Sequence, residues 1–65
     1  MRSHIRGSWT GWRGSTVVTL ENGTMWKQAA YLYHYQYAYR PAVVIEGGEM
    51  YVEGIPEGVR VRRIH

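Results

Sequence analysis

Hydrophobic and polar residues alternate along most of this chain, and that alternation predicts strands rather than helices. Runs of β-branched and aromatic residues recur between turn signals, and no apolar stripe with the i, i+3, i+4 spacing of a helix is present. The sequence therefore predicts an all-β protein. The predicted extended segments are residues 15–20, 24–28, 31–39, 42–46, 49–53 and 59–62.

The clearest local signal is the Asn-Gly turn within residues 21–23, which predicts a β-hairpin. A two-residue turn and a three-residue turn with a glycine bulge are both compatible with it, and they set different strand registers. The three-residue turn is favoured, because it pairs Val18 with Trp26. Val18, Leu20 and Trp26 then share one face, and Lys27 lies on the other, away from the core.

A second hairpin is predicted at the Gly47-Gly48 turn, with Met50 and Val52 pointing inward. The segment 54–58 is rich in glycine and proline and too short for a strand, so a single 3₁₀ turn is expected there. The last strand follows this turn, with Val59 and Val61 facing inward.

The amino-terminal third is harder to place. Residues 5–14 contain Trp9 and Trp12 and predict either a short first strand or an arm whose tryptophans cap one end of the core. Residues 1–4 are expected to be a disordered tail. The domain prediction is a tail over 1–4 and one β-barrel domain over 5–65, most simply a five-stranded SH3-like barrel. An OB-fold is the alternative, disfavoured because the chain is short and offers no helix.

Residues 31–39 have a strict alternation that places five tyrosines on one face of an extended strand. Pro41 ends this strand and biases Arg40 toward extended geometry. Two interpretations of the alternation stay open. In the first, some rings pack in the core, because the chain has no Phe, and the residues that alternate with them face water. Those residues are Leu32, His34, Gln36 and Ala38.

In the second interpretation, Tyr33, Tyr35 and Tyr37 are at least partly exposed and form a binding platform. Tyrosine supplies contact area at a low entropic cost, and aromatic rings also stack on unpaired bases. The arginines expected to contact phosphates beside this platform are Arg40, Arg60 and Arg62.

The chain offers little catalytic or metal-binding chemistry. It contains no Asp and no Cys, which excludes a Ser-His-Asp triad, a Cys-His pair and a cysteine zinc site. The three histidines lack the HxH or HxxxH spacing of metal ligands, and the glycines form no phosphate-binding motif. We therefore predict no catalytic, cofactor or metal residue and no enzyme activity, except one created at an oligomer interface.

No stretch approaches the ~20 apolar residues of a membrane helix, and the first residues lack the apolar run of a signal peptide. A soluble, cytoplasmic protein without a membrane partner is expected. The net charge of +3 is modest. Arginines lie near both termini and glutamates lie within residues 46–57, which predicts one basic end and one acidic flank.

The motif L-x-N-G-x-x-W-x-Q over residues 20–28, followed by Y-x-Y-x-Y-x-P-x-V-x-I, resembles a group of short uncharacterised bacterial proteins. Some of these are encoded on mobile elements such as integron gene cassettes. The resemblance covers most of the chain from about Ile5 and extends approximately to Val59, Val61, Arg63 and Ile64. It implies an SH3-like fold and no established activity, and fold analogy alone assigns no function.

Two functions remain. The first is a small non-catalytic interaction module that self-associates or binds a protein partner through the aromatic strand surface, since a barrel of this size gains stability by assembling. The second is binding of single-stranded nucleic acid or a similar polyanion by the tyrosines and neighbouring arginines, with a steep salt dependence.

Overall fold

The computed structural model describes residues 1–65, and it is all-β with no helix. It contains eight strands, whereas the predicted barrel has five. These are β1 (Arg2–His4), β2 (Ser8–Arg13), β3 (Val17–Thr19), β4 (Met25–Gln28), β5 (Tyr33–Tyr39), β6 (Ala42–Glu46), β7 (Glu49–Val52) and β8 (Val59–Arg63).

Six of the strands form one curled antiparallel sheet in the order β1-β6-β7-β8-β4-β3. The curl brings the two ends of the sheet together, where Ile5 forms an isolated bridge with Leu20. Beside this bridge the Arg6 N–H donates to the Thr19 carbonyl at 2.8 Å. Strands β2 and β5 form a separate two-stranded antiparallel ribbon.

A single cluster of apolar side chains forms the core, and Trp12, Leu20 and Met50 are its largest members with no exposed surface. Trp26 and Leu32 pack against the cluster and are partly buried. The remaining buried members are Ile5, Trp9, Val18, Val43, Ile45, Val52, Ile55, Val59 and Val61.

The first hairpin has the predicted three-residue turn. Val18 lies opposite Trp26, and the Leu20 N–H donates to the Thr24 carbonyl at 2.9 Å. The Asn22 side-chain oxygen accepts the Thr24 N–H at 3.1 Å, which closes the turn locally. The preferred register is therefore confirmed.

The second hairpin is also confirmed. Strands β6 and β7 pair around Gly47-Gly48, Met50 and Val52 are buried, and Tyr51 points outward. Over residues 54–58 the 3₁₀ prediction is wrong. One turn hydrogen bond is present instead, from the Ile55 N–H to the Val52 carbonyl at 2.9 Å.

Residues 1–4, expected to fray, instead contain β1, which pairs with β6. Arg2 lies opposite Val44 and His4 opposite Ala42, and the amino-terminal amine donates to the Ile45 carbonyl at 2.9 Å. Without β1, one edge of β6 would leave its backbone groups unpaired, and edge strands gain stability when they are covered. A short polar segment such as this one has no alternation of apolar and polar residues from which a strand could be predicted.

Trp9 and Trp12 both lie in the core, although residues three apart in a regular strand face opposite sides. The strand register shifts between Trp9 and Gly11, and Gly11 has a φ of 101°. This irregularity turns both indoles inward, where they meet edge to face with ring centroids 5.4 Å apart. Of the two predictions for residues 5–14, a short strand and an arm, the structure adopts a strand, β2, and its tryptophans lie within the core.

Candidate functional site

The most prominent exposed feature is the outward side of β5, which we call the tyrosine face. It consists of Tyr33, Tyr35, Tyr37 and Tyr39, whose exposed fractions are 62%, 64%, 62% and 69%. The regular two-residue period of the strand places all four rings on one side. Tyr31 lies just before β5 and is exposed to 80%.

The inward side of β5 is half-buried against the rest of the molecule. His34 lies opposite Trp12 in the ribbon, and the Gln36 side-chain amide donates to the Glu53 carbonyl at 3.1 Å. The interpretation in which tyrosine rings pack in the core is therefore wrong. The core obtains its aromatic volume from the tryptophans of β2, so it has no need of the tyrosines.

Strand β2 contributes neighbours to the tyrosine face that sequence reasoning did not select. Arg13 lies directly opposite Tyr33, and Ser8 lies opposite Tyr39. Directly opposed residues of an antiparallel pair have Cβ atoms about 5 Å apart, so Arg13 is within reach of the Tyr33 ring. No carboxylate occurs in either strand of the ribbon. The pairing of β2 with β5 was the missing information, since the Trp-x-Gly-Trp spacing obscures the strand alternation.

Arg40 is placed at the end of β5, but it is engaged elsewhere. Its guanidinium forms a two-point ion pair with Glu21, with Nη2 to Oε1 at 2.9 Å. The hydrogen bond from Arg40 lowers the pKa of the Glu21 carboxyl below its ordinary value. Arg40 also has a φ of 50°, in the left-handed region, so the prediction of extended geometry is wrong. Its N–H donates to the Gly7 carbonyl at 2.8 Å, which holds this corner between the ribbon and β6.

Arg60 and Arg62 are exposed on β8, which belongs to the curled sheet rather than to the ribbon. Arg60 lies opposite Glu49 and Arg62 lies opposite Lys27. The structure therefore brings Tyr33, Tyr35 and Tyr37 together as predicted on one strand. It does not place Arg60 and Arg62 on the same sheet as these tyrosines.

An open groove of about 230 Å³ lies near the start of β5. The Tyr31 ring lies at this groove and packs over Gly14, which directly follows β2. The groove is lined by Ala30, Tyr31, Leu32, Glu49, Glu57, Gly58, Val59 and Arg60. Its lining carries two carboxylates and one guanidinium, and is therefore weakly acidic.

Tyr51 lies beside this groove and donates its hydroxyl to Glu49 at 3.0 Å. This hydrogen bond raises the pKa of Tyr51 above its ordinary value, because ionisation would place two negative charges side by side. A raised pKa in the folded state means that the contact stabilises the fold at neutral pH. That contribution is lost as the pH rises through the pKa of Tyr51.

The side chains form no cluster of three or more His, Cys, Asp or Glu that could hold a metal ion. No helix in the structure could span a lipid bilayer. Comparison of the chain with protein-family models, with curated proteins and with solved structures finds no match. The tyrosine face is therefore interpreted from its own chemistry.

Proposed function

We propose that this chain is a small non-catalytic interaction module that binds protein through its tyrosine face. The observation that carries the proposal is the exposure of four consecutive outward tyrosines in a strand whose inward side is half-buried. The buried cluster contains none of these rings, so we expect folding not to require them. A contiguous aromatic surface of this kind is typical of an interaction site.

Tyrosine suits such a surface for physical reasons. Its ring offers a large apolar area with only two side-chain torsions to immobilise, and its hydroxyl keeps the free surface hydrated. Binding energy at protein interfaces is concentrated in Trp, Tyr and Arg. The tyrosine face supplies the tyrosines, and Arg13 beside Tyr33 supplies an arginine.

Single-stranded nucleic acid is the second candidate ligand, and Arg13 is the observation that favours it. A row of rings with an adjacent guanidinium and no carboxylate in the ribbon is compatible with base stacking and phosphate contact. The other expected phosphate contacts are weaker support, because Arg40 is paired with Glu21 and Arg60 faces Glu49. Protein is therefore the preferred partner.

The proposed architecture is an SH3-like barrel, as in the short bacterial proteins that the sequence resembles, and the proposed location is the cytoplasm. The meander of β6, β7 and β8 and the curl of the six-stranded sheet support the barrel. In this architecture the ribbon of β2 and β5 forms part of the barrel wall, and its outward side carries the binding surface.

Selection of peptides from a random displayed library on the folded chain tests the proposed function, because such a library presents many different peptide sequences at once. We expect enriched peptides whose binding falls at least tenfold in the variant Tyr35→Thr/Tyr37→Thr. The control is Val17→Thr, which changes an exposed hydrophobic residue on β3. Peptides that bind all three proteins equally, or no enrichment at all, would contradict the proposal.

A titration of labelled protein with a mixed-sequence single-stranded oligonucleotide at low and high salt tests nucleic acid as the ligand. Nucleic-acid binding predicts amide shifts at residues 33–39 and at Arg13 that weaken steeply with salt. If these shifts appear and no peptide is enriched, nucleic acid replaces protein as the ligand class.

A further inference from the structure

The second edge of β5 is open. Strand β5 pairs with β2 along one edge, and no other strand lies along the opposite edge. Backbone hydrogen bonds join residues 33–38 only to β2. The Gln36 side chain makes the one hydrogen bond from β5 to the segment around Glu53. The free N–H and C=O groups of such an edge are a template for another strand.

This edge also lacks the features that usually protect edge strands from pairing. Natural proteins place charges, prolines or bulges on exposed edges, and residues 31–39 contain no charged residue and no proline. The opposite edge of the ribbon differs, because β2 has the irregularity at Gly11 and the charged Arg13. Of the two ribbon edges, β5 is therefore the one suited to accept a strand.

We propose that β5 pairs antiparallel with β5 of a second copy of this chain, about a twofold axis at Gln36. The inference rests on the proposed function, since it names a partner for the strand that carries the tyrosine face. In this register all seven residues of β5 are paired, with Tyr35 opposite Tyr37 of the second copy and Tyr33 opposite its Tyr39. The two ribbons become one four-stranded sheet with eight tyrosines on one side.

The sequence of β5 is suited to twofold self-pairing. A twofold interface requires a surface that is complementary to itself, and the tyrosines of β5 are arranged symmetrically about Gln36. Aromatic residues on directly opposed strand positions attract each other. Charge is also compatible with pairing. Strand β5 contains no Asp, Glu, Lys or Arg. Across the four-stranded sheet, Arg13 and Tyr33 would be in line with Tyr39 and Ser8 of the second copy, so the two Arg13 side chains do not meet.

Pairing along this edge buries the backbone groups of β5 and the ring edges that meet across the new strand pair, while the outward faces of the rings stay exposed. The contact is therefore smaller than a standard interface, which buries ~800 Å² per partner. A weak dimer whose formation depends on concentration is expected. Assembly would also stabilise a chain of 65 residues that buries only 15 of them.

Sedimentation equilibrium of the full chain over a wide dilution series tests this inference. We expect a concentration-dependent rise from 7.6 kDa to twice that mass. The variant Tyr35→Lys/Tyr37→Lys places like charges opposite each other twice in the proposed register and should remain monomeric. The matched variant Tyr35→Lys/Tyr37→Glu places opposite charges there and should associate at least tenfold more tightly than the double-lysine variant.

The two charge variants keep the inference falsifiable, because both replace the same exposed side chains and neither touches the core. A wild-type chain that stays monomeric throughout would overturn it, and so would equal association of the two variants. If the wild-type chain is monomeric but library peptides still bind the tyrosine face, the dimer is wrong and the proposed function stands. A wild-type chain that neither dimerises nor binds library peptides would contradict both the dimer and the proposed function.

Discussion

At the scale of single residues, two backbone positions shape the candidate site. Gly11 allows Trp9 and Trp12 to face the same way, and Arg40 turns the chain out of the ribbon with a φ of 50°. Left-handed geometry costs a non-glycine residue about 1–2 kcal/mol. At Arg40 the hydrogen bond to the Gly7 carbonyl and the ion pair with Glu21 oppose that cost.

The need for glycine at position 11 is stronger than its positive φ alone implies. A Cβ at this position would overlap the His34 carbonyl oxygen and lie 2.8 Å from the Gln36 backbone nitrogen, so β5 would have to move away. We expect Gly11→Ala to reduce the free energy of unfolding by about 3 kcal/mol or more, the sum of left-handed strain and steric overlap.

The matched control for Gly11→Ala is Gly23→Ala. Gly23 has a similar φ of 90° but no atom within 4 Å of its Cβ position, so only the strain of about 1–2 kcal/mol is expected. Urea unfolding of both variants gives the comparison. Equal losses at the two positions would contradict the close approach of β2 and β5 at Gly11.

At the scale of elements, β1 is a short strand whose effect comes from backbone pairing. Its side chains Arg2 and His4 are exposed, whereas its backbone covers β6. A chain in which Met directly precedes Ile5 should lose about 2 kcal/mol or more of unfolding free energy, because several hydrogen bonds worth ~0.5–1.5 kcal/mol each disappear. Thermal unfolding of the shortened chain measures this loss.

The control for the shortened chain is Arg2→Ser/His4→Ser, which keeps the β1 backbone. Since only exposed side chains change, its stability should stay within about 1 kcal/mol of the original chain. If the shortened chain is as stable as this control, β1 contributes nothing and residues 1–4 are the tail that the sequence predicts.

Much of the element structure follows from local sequence. The Asn22-Gly23 and Gly47-Gly48 turns predict both hairpins, and the register of the first follows from keeping Lys27 away from the core. The partner of β5 does not follow, because pairing with β2 depends on contacts between residues distant in sequence. Arg13 was missed for that reason, and the exposure of the tyrosine face depends on which aromatic residues fill the core.

At the scale of the whole molecule, a core built from tryptophan and aliphatic residues leaves the tyrosines for the surface. The curled sheet and the ribbon enclose one small cluster, and the ribbon presents its aromatic side to solvent. A chain of this size has little stability to spare. The exposed aromatic row lies outside this cluster and is the surface that we propose for contact with another molecule.

The decisive measurement is the free energy of unfolding of Tyr35→Thr/Tyr37→Thr, made at concentrations low enough for the chain to be monomeric. Threonine keeps the strand preference of tyrosine and removes the rings. We expect a loss within about 1 kcal/mol, as for other exposed substitutions, whereas the core control Leu20→Ala should lose about 2–5 kcal/mol. A loss in the double variant as large as that of Leu20→Ala would show that the rings belong to the core and would contradict the tyrosine face as a binding surface.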